Sequence, residues 1–198
     1  MNEDLQLAFC VSKTEAEGPG KRFALWVQGC TLGCPDCCNP EMWSKKGGET
    51  ISVDELYKKI LTVSDKIEGV SLLGGEPFEQ DRALSILARK IRDKGLTVMV
   101  YSGYDLKEIK DMKSELLEHV DLLVAGRYVK ELHTTKRRWI GSTNQELHFL
   151  TDAYKEADPR FLEPNHAEIT LNSQGEMTVV GFPFPSIREN FRKKSIEV

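Results

Sequence analysis

The chain has 198 residues, 40% of them hydrophobic and 29% charged, a globular balance suited to one domain or to one domain with a small appendage. At this length folding can bury roughly 70% of the surface that the unfolded chain exposes, so a sizeable core is within reach. A formal net charge of −4 gives no electrostatic ground for binding nucleic acid. No apolar run approaches the ~20 residues that span a bilayer, and Met1 to Asp4 lack the features of a signal peptide, so a cytoplasmic protein with no membrane partner is expected.

From Arg22 to Ala125, strand and helix patterns alternate. Phe23–Val27 is a short apolar run, as expected of a strand covered on both faces. Four of the five cysteines then fall between Cys30 and Cys38. Ser52 and Glu55 form a capping box, and Leu56, Ile60 and Val63 line the helix that follows. Val70–Leu73 is the second buried strand, ending in Gly74-Gly75. The next helix runs from about Glu79 to Lys94, with Leu84, Leu87, Ala88 and Ile91 as its stripe and Gly95 as its stop. Thr97–Tyr101 is a third strand, broken by Ser102-Gly103. Asp105 and Glu108 open a third helix, with Ile109, Met112 and Leu116 facing inward, and Asp121–Ala125 is a fourth strand, stopped by Gly126.

Repeated strand–helix units imply an α/β fold with a parallel sheet. A full eight-unit barrel needs about 250 residues, so an incomplete β/α barrel is expected. After Leu150 the pattern changes. Pro159, Pro164, Pro183 and Pro185 punctuate the tail, and Ala167–Leu171 and Glu176–Val180 flank Asn172–Gly175 as a β-hairpin. The expected division is 1–150 for the barrel domain and 151–198 for a C-terminal extension, whose hairpin binds a partner or covers a sheet edge. The short basic run Lys136-Arg137-Arg138 reads as a solvated loop.

Cys30, Cys34 and Cys37 have the spacing C-x3-C-x2-C. In a reducing compartment such a group points to metal rather than to disulfides. Three thiolates on one loop can hold three irons of a cubane cluster and leave the fourth iron without a protein ligand, whereas most Fe–S electron carriers use four cysteines. A structural zinc site closes with four ligands, often as two separated pairs. Here there is no second pair, and His119, His133, His148 and His166 are not at ligand spacing. Cys38 is an awkward fourth ligand, because neighbouring side chains in an extended segment point opposite ways. It reads as a small buried filler, and Cys10 as a core residue. The cysteine loop, Gly74-Gly75-Glu76-Pro77, Ser102-Gly103-Tyr104 and Gly126-Arg127-Tyr128 all follow strands, so all lie at the edge where such folds place active sites.

At these residues the chain resembles the radical S-adenosylmethionine superfamily, by the cysteine loop and the downstream Gly-Gly-Glu-Pro. Glu17–Arg22 resembles the Gly-Pro-Gly entry segment of glycyl-radical-enzyme activases. Cys37-Cys38-Asn39-Pro40 leading to Trp43, Asp121–Tyr128 and Gly141–Gln145 are similar to segments in activases of anaerobic ribonucleotide reductase. The likeness runs in order from about residue 5 to 150. It implies a [4Fe–4S] cluster on Cys30, Cys34 and Cys37, with S-adenosylmethionine chelating the open iron. One electron would cleave that cofactor to methionine and a 5′-deoxyadenosyl radical, with no catalytic residue needed beyond the cluster ligands. It places Gly74, Gly75, Glu76 and Pro77 at the cofactor's methionyl end, and Ser102 and Gly103 on the ribose side or, equally, in a simple turn. It implies a glycyl radical enzyme as partner and reduced flavodoxin or ferredoxin as electron donor. Two features depart from the pattern: Cys38 and Asp36 stand where aromatics are common, and the short activases lack the tail beyond residue 150. Two other readings remain: the same chemistry on a peptide, nucleotide or other small substrate, and a non-enzymatic Fe–S protein for electron transfer or sensing.

Overall fold

The computed structural model describes residues 3–175 and 177–182; Glu176, Pro183 and Pro185, to which the sequence reading assigned roles, lie outside them. Seven strands form one open sheet in the order β3-β1-β2-β4-β5-β6-β7. They are β1 (Asp4–Thr14), β2 (Arg22–Val27), β3 (Glu49–Ser52), β4 (Gly69–Gly74), β5 (Thr97–Ser102), β6 (Leu122–Ala125) and β7 (Glu146–Phe149). The helices are α1 (Val53–Leu61), α2 (Asp81–Asp93) and α3 (Leu106–Asp111). A separate antiparallel hairpin pairs β8 (Ala167–Leu171) with β9 (Met177–Gly181).

The fold is α/β, but the sheet is mixed rather than all parallel. β2, β4, β5 and β6 are the parallel centre. β1, β3 and β7 are antiparallel additions at the two sides. Sequence pattern missed β1 for a physical reason. Its register against β2 shifts between Leu7 and Phe9 and again between Val11 and Thr14, so no single period of two runs along it.

Each central strand sends alternate residues to opposite faces. Phe23, Leu25, Val27, Val70, Leu72, Val98, Val100, Leu123 and Ala125 pack beneath the helices, against Leu56 and Ile60 of α1, Leu84, Leu87 and Ile91 of α2, and Ile109 of α3. The other face carries Ala24, Trp26, Leu73, Met99, Leu122 and Val124. The chain after β6 covers it: Trp139, Ile140, Tyr154 and Val180 are buried there, with Phe161 and Phe182 packed alongside. The last residues of the hairpin therefore lie on a sheet face rather than along an edge.

Two local expectations change. α3 is only six residues long and Met112 is 46% exposed, because Lys113 takes a left-handed φ of 56° and turns the chain away. Leu116 re-enters the core from a separate 3-10 turn. The second helix likewise begins later, at Asp81, because Pro77–Gln80 forms a 3-10 turn first. The reciprocal capping box forms at Asp105 and Glu108, while Ser52 accepts from the Glu55 amide at 3.2 Å.

Polar groups fix the end of the sheet away from the cysteines. Arg22 is fully buried, and its donors end on neutral oxygens: Ser71 Oγ at 2.7 Å, Val70 O at 2.8 Å, Tyr154 Oη at 3.0 Å and Thr97 Oγ1 at 3.1 Å. One guanidinium thus ties β2, β4 and β5 to the tail. Glu17 is also buried; its carboxylate accepts from the Gly181 amide and anchors the hairpin's return.

Burial pushes the Glu17 carboxyl up to about 8, against the opposing pull of the Gly181 amide. A carboxyl raised in the folded state favours folding while protonated. Its contribution is complete below the ordinary value of about 4.5 and is lost as pH rises through about 8. Glu17→Gln keeps an oxygen for Gly181 and removes the ionisation. Between pH 4.5 and 8 the variant should gain on the parent by up to ~1.4 kcal/mol per pH unit. Denaturant unfolding of both proteins across that range checks this, and parallel curves would refute it.

Candidate active site

The cysteine loop leaves β2 and is closed at its base. Gly29 N donates to Met42 O at 2.8 Å and Cys30 N to Trp43 O at 3.1 Å. The Gln28 amide donates to Ser44 O at 2.6 Å and to Glu41 O at 3.1 Å. Gln80 holds the other side, donating to Gln28 O at 2.9 Å and to Gln6 O at 3.0 Å. The loop thus springs from a hydrogen-bonded collar rather than from a loose end.

The Gly-Gly-Glu segment is joined directly to this collar. Past the ends of the strands, Gly75 N donates to Val27 O at 2.7 Å and Glu76 N to Gly29 O at 2.9 Å. Two glycines make this possible. A Cβ on Gly74, whose φ is 110°, would lie 2.4 Å from Val27 N, and one on Gly75 would lie 2.1 Å from Gly29 O. Pro77 is buried and opens the 3-10 turn before α2.

Glu76 is 1% exposed and points across to β5. Its Oε1 accepts from Ser102 Oγ at 2.9 Å and from Phe78 N at 3.0 Å, and its Oε2 from Gly103 N at 2.8 Å. Burial raises the carboxyl to about 7 despite these three donors. One helical step on, Glu79 turns the opposite way and grips the cysteine loop: Thr31 N and Oγ1 both donate to Glu79 Oε1, at 2.7 and 2.6 Å. Lys45 Nζ lies 3.7 Å from Glu79 Oε2.

None of the five cysteines is paired in a disulfide. Burial raises Cys30 and Cys34; the Leu32 and Gly33 amides pull Cys30 back down, and the Arg127 charge does the same for Cys34. Asn39 N donates to Cys37 Sγ at 3.4 Å. Amides aimed at sulfur and a nearby cation support thiolates, so the donor set suits an Fe–S cluster. Gly33 and Asp36 both take left-handed backbone, with φ of 56° and 58°, which coils the loop tightly between the cysteines. Cys38 is exposed, which corrects its reading as a buried filler. Among the described residues, no three His, Cys, Asp or Glu side chains gather closely enough to hold a single metal ion. A cubane makes another demand, one thiolate for each iron it anchors.

The segment after β6 braces the loop from the far side. Lys130 Nζ pairs with Asp36 at 2.9 Å. Arg127 is held by Glu108 through two bonds of 2.8 and 3.0 Å and lies over the Tyr104 ring. Gln145 donates to Gly126 O at 2.9 Å and Asn144 to Arg127 O at 2.8 Å, so the Gly141–Gln145 motif serves to hold this brace. A cavity of about 750 Å³ lies beside Arg127, with Lys107, Lys110 and His148 among its walls. Neither a cysteine nor Gly74–Glu76 lines it, so the cysteine site lies apart from this cavity. Sequence reasoning brought the cysteines, Gly74–Pro77 and Ser102-Gly103 to one edge, and they do meet there. It missed Glu79, Gln28, Gln80 and Lys130, whose residue types are common on any surface.

Residues 16–148 match the family described as a 4Fe-4S single cluster domain. The chain belongs to that family. It is 31% identical over 140 residues to the anaerobic ribonucleoside-triphosphate reductase-activating protein of Escherichia coli (strain K12), covering 67% of this chain and 91% of that protein. The protein of the same name from Enterobacteria phage T4 is 34% identical over 140 residues, covering 68% and 88%. The pyruvate formate-lyase-activating enzyme of Clostridium pasteurianum is 32% identical over 113 residues, covering 54% and 46%. The chain is thus a radical S-adenosylmethionine protein of the activase type, and its cofactors are a [4Fe–4S] cluster and S-adenosylmethionine. Residues 149–198 lie outside the matched family span.

The Glu79 clamp makes a prediction. Glu79→Ala should still load iron but lose it to a chelator roughly tenfold faster, the equivalent of one charge-assisted hydrogen bond, with Glu79→Gln in between. Decay of the cluster's visible absorption in excess chelator measures this. Equal decay in all three proteins would show that Thr31 is held well enough without the carboxylate.

Proposed function

We propose that Cys30, Cys34 and Cys37 each bind one iron, that Gly74–Pro77 receive the methionyl end of S-adenosylmethionine, and that the radical's target is a backbone glycine of a glycyl radical enzyme such as anaerobic ribonucleotide reductase. The observation that carries this is the pair of backbone bonds from Gly75 and Glu76 to Val27 and Gly29. They set a backbone able to meet an amino acid's ammonium group beside the first cysteine of the loop. Cys30, Cys34 and Cys37 would hold the cluster, which would supply the one electron needed to cleave the cofactor's sulfonium C–S bond to methionine and a 5′-deoxyadenosyl radical.

The residues of the chain do the rest. Glu79 and Lys130 hold the cysteine loop from two sides. Glu76 offers a buried negative charge to a cationic ligand, and that charge is fullest above about pH 7. We read the sheet as the incomplete barrel expected from the sequence, with residues 151–198 as an extension. Trp139, Tyr154 and Phe161 pack on the sheet's second face, which favours chemistry at the cysteine edge, where a loop of another protein can reach. That favours the activase reading over a small enclosed substrate. Exposed Cys38 and half-buried Cys34 leave the loop accessible to a reductant, here assigned to reduced flavodoxin or ferredoxin. Among the described residues no helix is long and apolar enough to cross a membrane, in keeping with a cytoplasmic place of work.

Anaerobically reconstituted protein should hold about four irons and four sulfides. Cys30→Ala, Cys34→Ala and Cys37→Ala should each abolish the cluster, and Cys38→Ala and Cys10→Ala should retain it. Reduced protein should convert S-adenosylmethionine to methionine and 5′-deoxyadenosine, and with its partner should give a glycine-centred doublet in electron paramagnetic resonance. Stoichiometric zinc without iron, or loss of the cluster in Cys38→Ala alone, would overturn the ligand assignment. Cofactor cleavage with no doublet on any glycyl radical enzyme would move the target to a small substrate.

A further inference from the structure

Ser102 and Gly103 end β5 directly across from Gly74–Glu76, where family resemblance points such a pair at ribose. Their hydrogen bonds point elsewhere. A serine hydroxyl has one proton to donate and two lone pairs. Ser102 commits the proton to Glu76 Oε1 at 2.9 Å and one lone pair to Tyr104 N at 3.0 Å. The residue is 5% exposed, so the hydroxyl cannot turn to a ligand without abandoning a buried carboxylate. The amide of Gly103 is likewise engaged, at 2.8 Å from Glu76 Oε2.

The same bonds give the Glu76 carboxylate a definite orientation. Oε1 carries two donors, from Ser102 and Phe78, and Oε2 carries one, from Gly103. A carboxylate oxygen accepts about two, so Oε2 retains an acceptor position. Oε2 lies on the β5 side beside Gly103, and Gly103 in turn packs against the cysteine loop: a Cβ on Gly103 would lie 3.7 Å from Oε2 and 2.4 Å from Leu32 Cδ1. We propose that Ser102 is a positioning residue that acts through Glu76, turning its carboxylate toward the ammonium group of the methionyl end, and that it does not bind ribose. This rests on the reading that S-adenosylmethionine binds at Gly74–Glu76. Two strand ends thereby cooperate: β4 supplies the anion and β5 aims it. Loss of the Ser102 hydroxyl leaves Oε1 with the Phe78 amide alone, which makes ionisation of an already raised carboxyl harder still.

The test uses the cluster-loaded full chain and two probes, S-adenosylmethionine and its 2′,3′-dideoxy analogue. Binding is read from the change each causes in the electron paramagnetic resonance spectrum of the reduced cluster, with iron content as the control for folding. Ser102→Ala should weaken both probes equally, by roughly tenfold, the size expected of a hydrogen bond to a charged group. Ser102→Thr should restore affinity to within about threefold of the parent, since it returns the hydroxyl. In a Glu76→Gln background, the further change Ser102→Ala should cost little, because the group it orients is already altered. Should Ser102→Ala fail to take up the cluster, Ser102→Cys, which keeps the size but donates weakly, carries the same comparison. A penalty seen with S-adenosylmethionine and lost with the dideoxy analogue would show a ribose contact and overturn the proposal. So would a full penalty persisting in the Glu76→Gln background. If the parent protein holds an intact cluster that neither probe perturbs, the cofactor reading itself fails, and this inference goes with it.

Discussion

Everything at the reactive edge depends on how closely two strand ends approach. β2 and β4 run parallel in register from Arg22 with Gly69 to Val27 with Gly74, and the ladder does not stop where the strands do. Gly75 and Glu76 go on to bond Val27 and Gly29. A side chain at either glycine would meet backbone at under 2.5 Å. With alanine at either position the strand ends would have to part, and the cysteine loop would lose its fixed relation to Glu76. The close approach is thus a steric condition on chemistry, met by removing two methyl groups.

Around this contact, side chains of ordinary type form a frame. Glu76 and Glu79 stand three residues apart in one turn and face opposite ways, one to β5 and one to the cysteine loop. The connection from β4 to α2 therefore holds both sides of the site at once. On the far side, Lys130 pairs with Asp36, and Gln145 and Asn144 tie down Gly126 and Arg127. A flexible loop carrying three thiolates is costly to order on its own. Here part of that ordering comes from Glu79 and Lys130, through bonds that do not involve the cysteines.

The opposite end of the sheet solves a different problem. Helices cover only one face, and an exposed second face of Trp26, Met99, Leu122 and Val124 would be a large apolar surface. Residues after β6 cover it instead. Buried Arg22 and Glu17 fix that cover in place through Tyr154 and Gly181. Such polar anchors add little net stability compared with apolar packing, but each allows one arrangement and penalises others. Tyr154, Phe161, Val180 and Phe182 are thus part of the sheet's own packing.

Some of this was decided by local sequence. The four central strands and the first two helices follow from short apolar runs and from the 3.6-residue stripes of Leu56–Ile60 and Leu84–Ile91, because burial acts on every residue of such elements alike. The Fe–S character was legible too, because cysteines at fixed spacing on one loop carry that signal without distant partners, and residues 16–148 match a 4Fe-4S single cluster domain. Other features needed the folded chain. β1 was hidden by two register shifts, and β7 by its dependence on β6 for a partner. Met112 was placed inward by periodicity and turned out by the backbone of Lys113. Ser102 looked like a ligand contact or a turn residue, and only its distance to Glu76, 26 positions earlier, showed which group holds its proton. Glu79, Gln80, Gln28 and Lys130 gave no sign at all, because a polar side chain has no periodicity of its own. Its role is set by what stands within about 3 Å of it, and for residues far apart in sequence that is decided by tertiary packing.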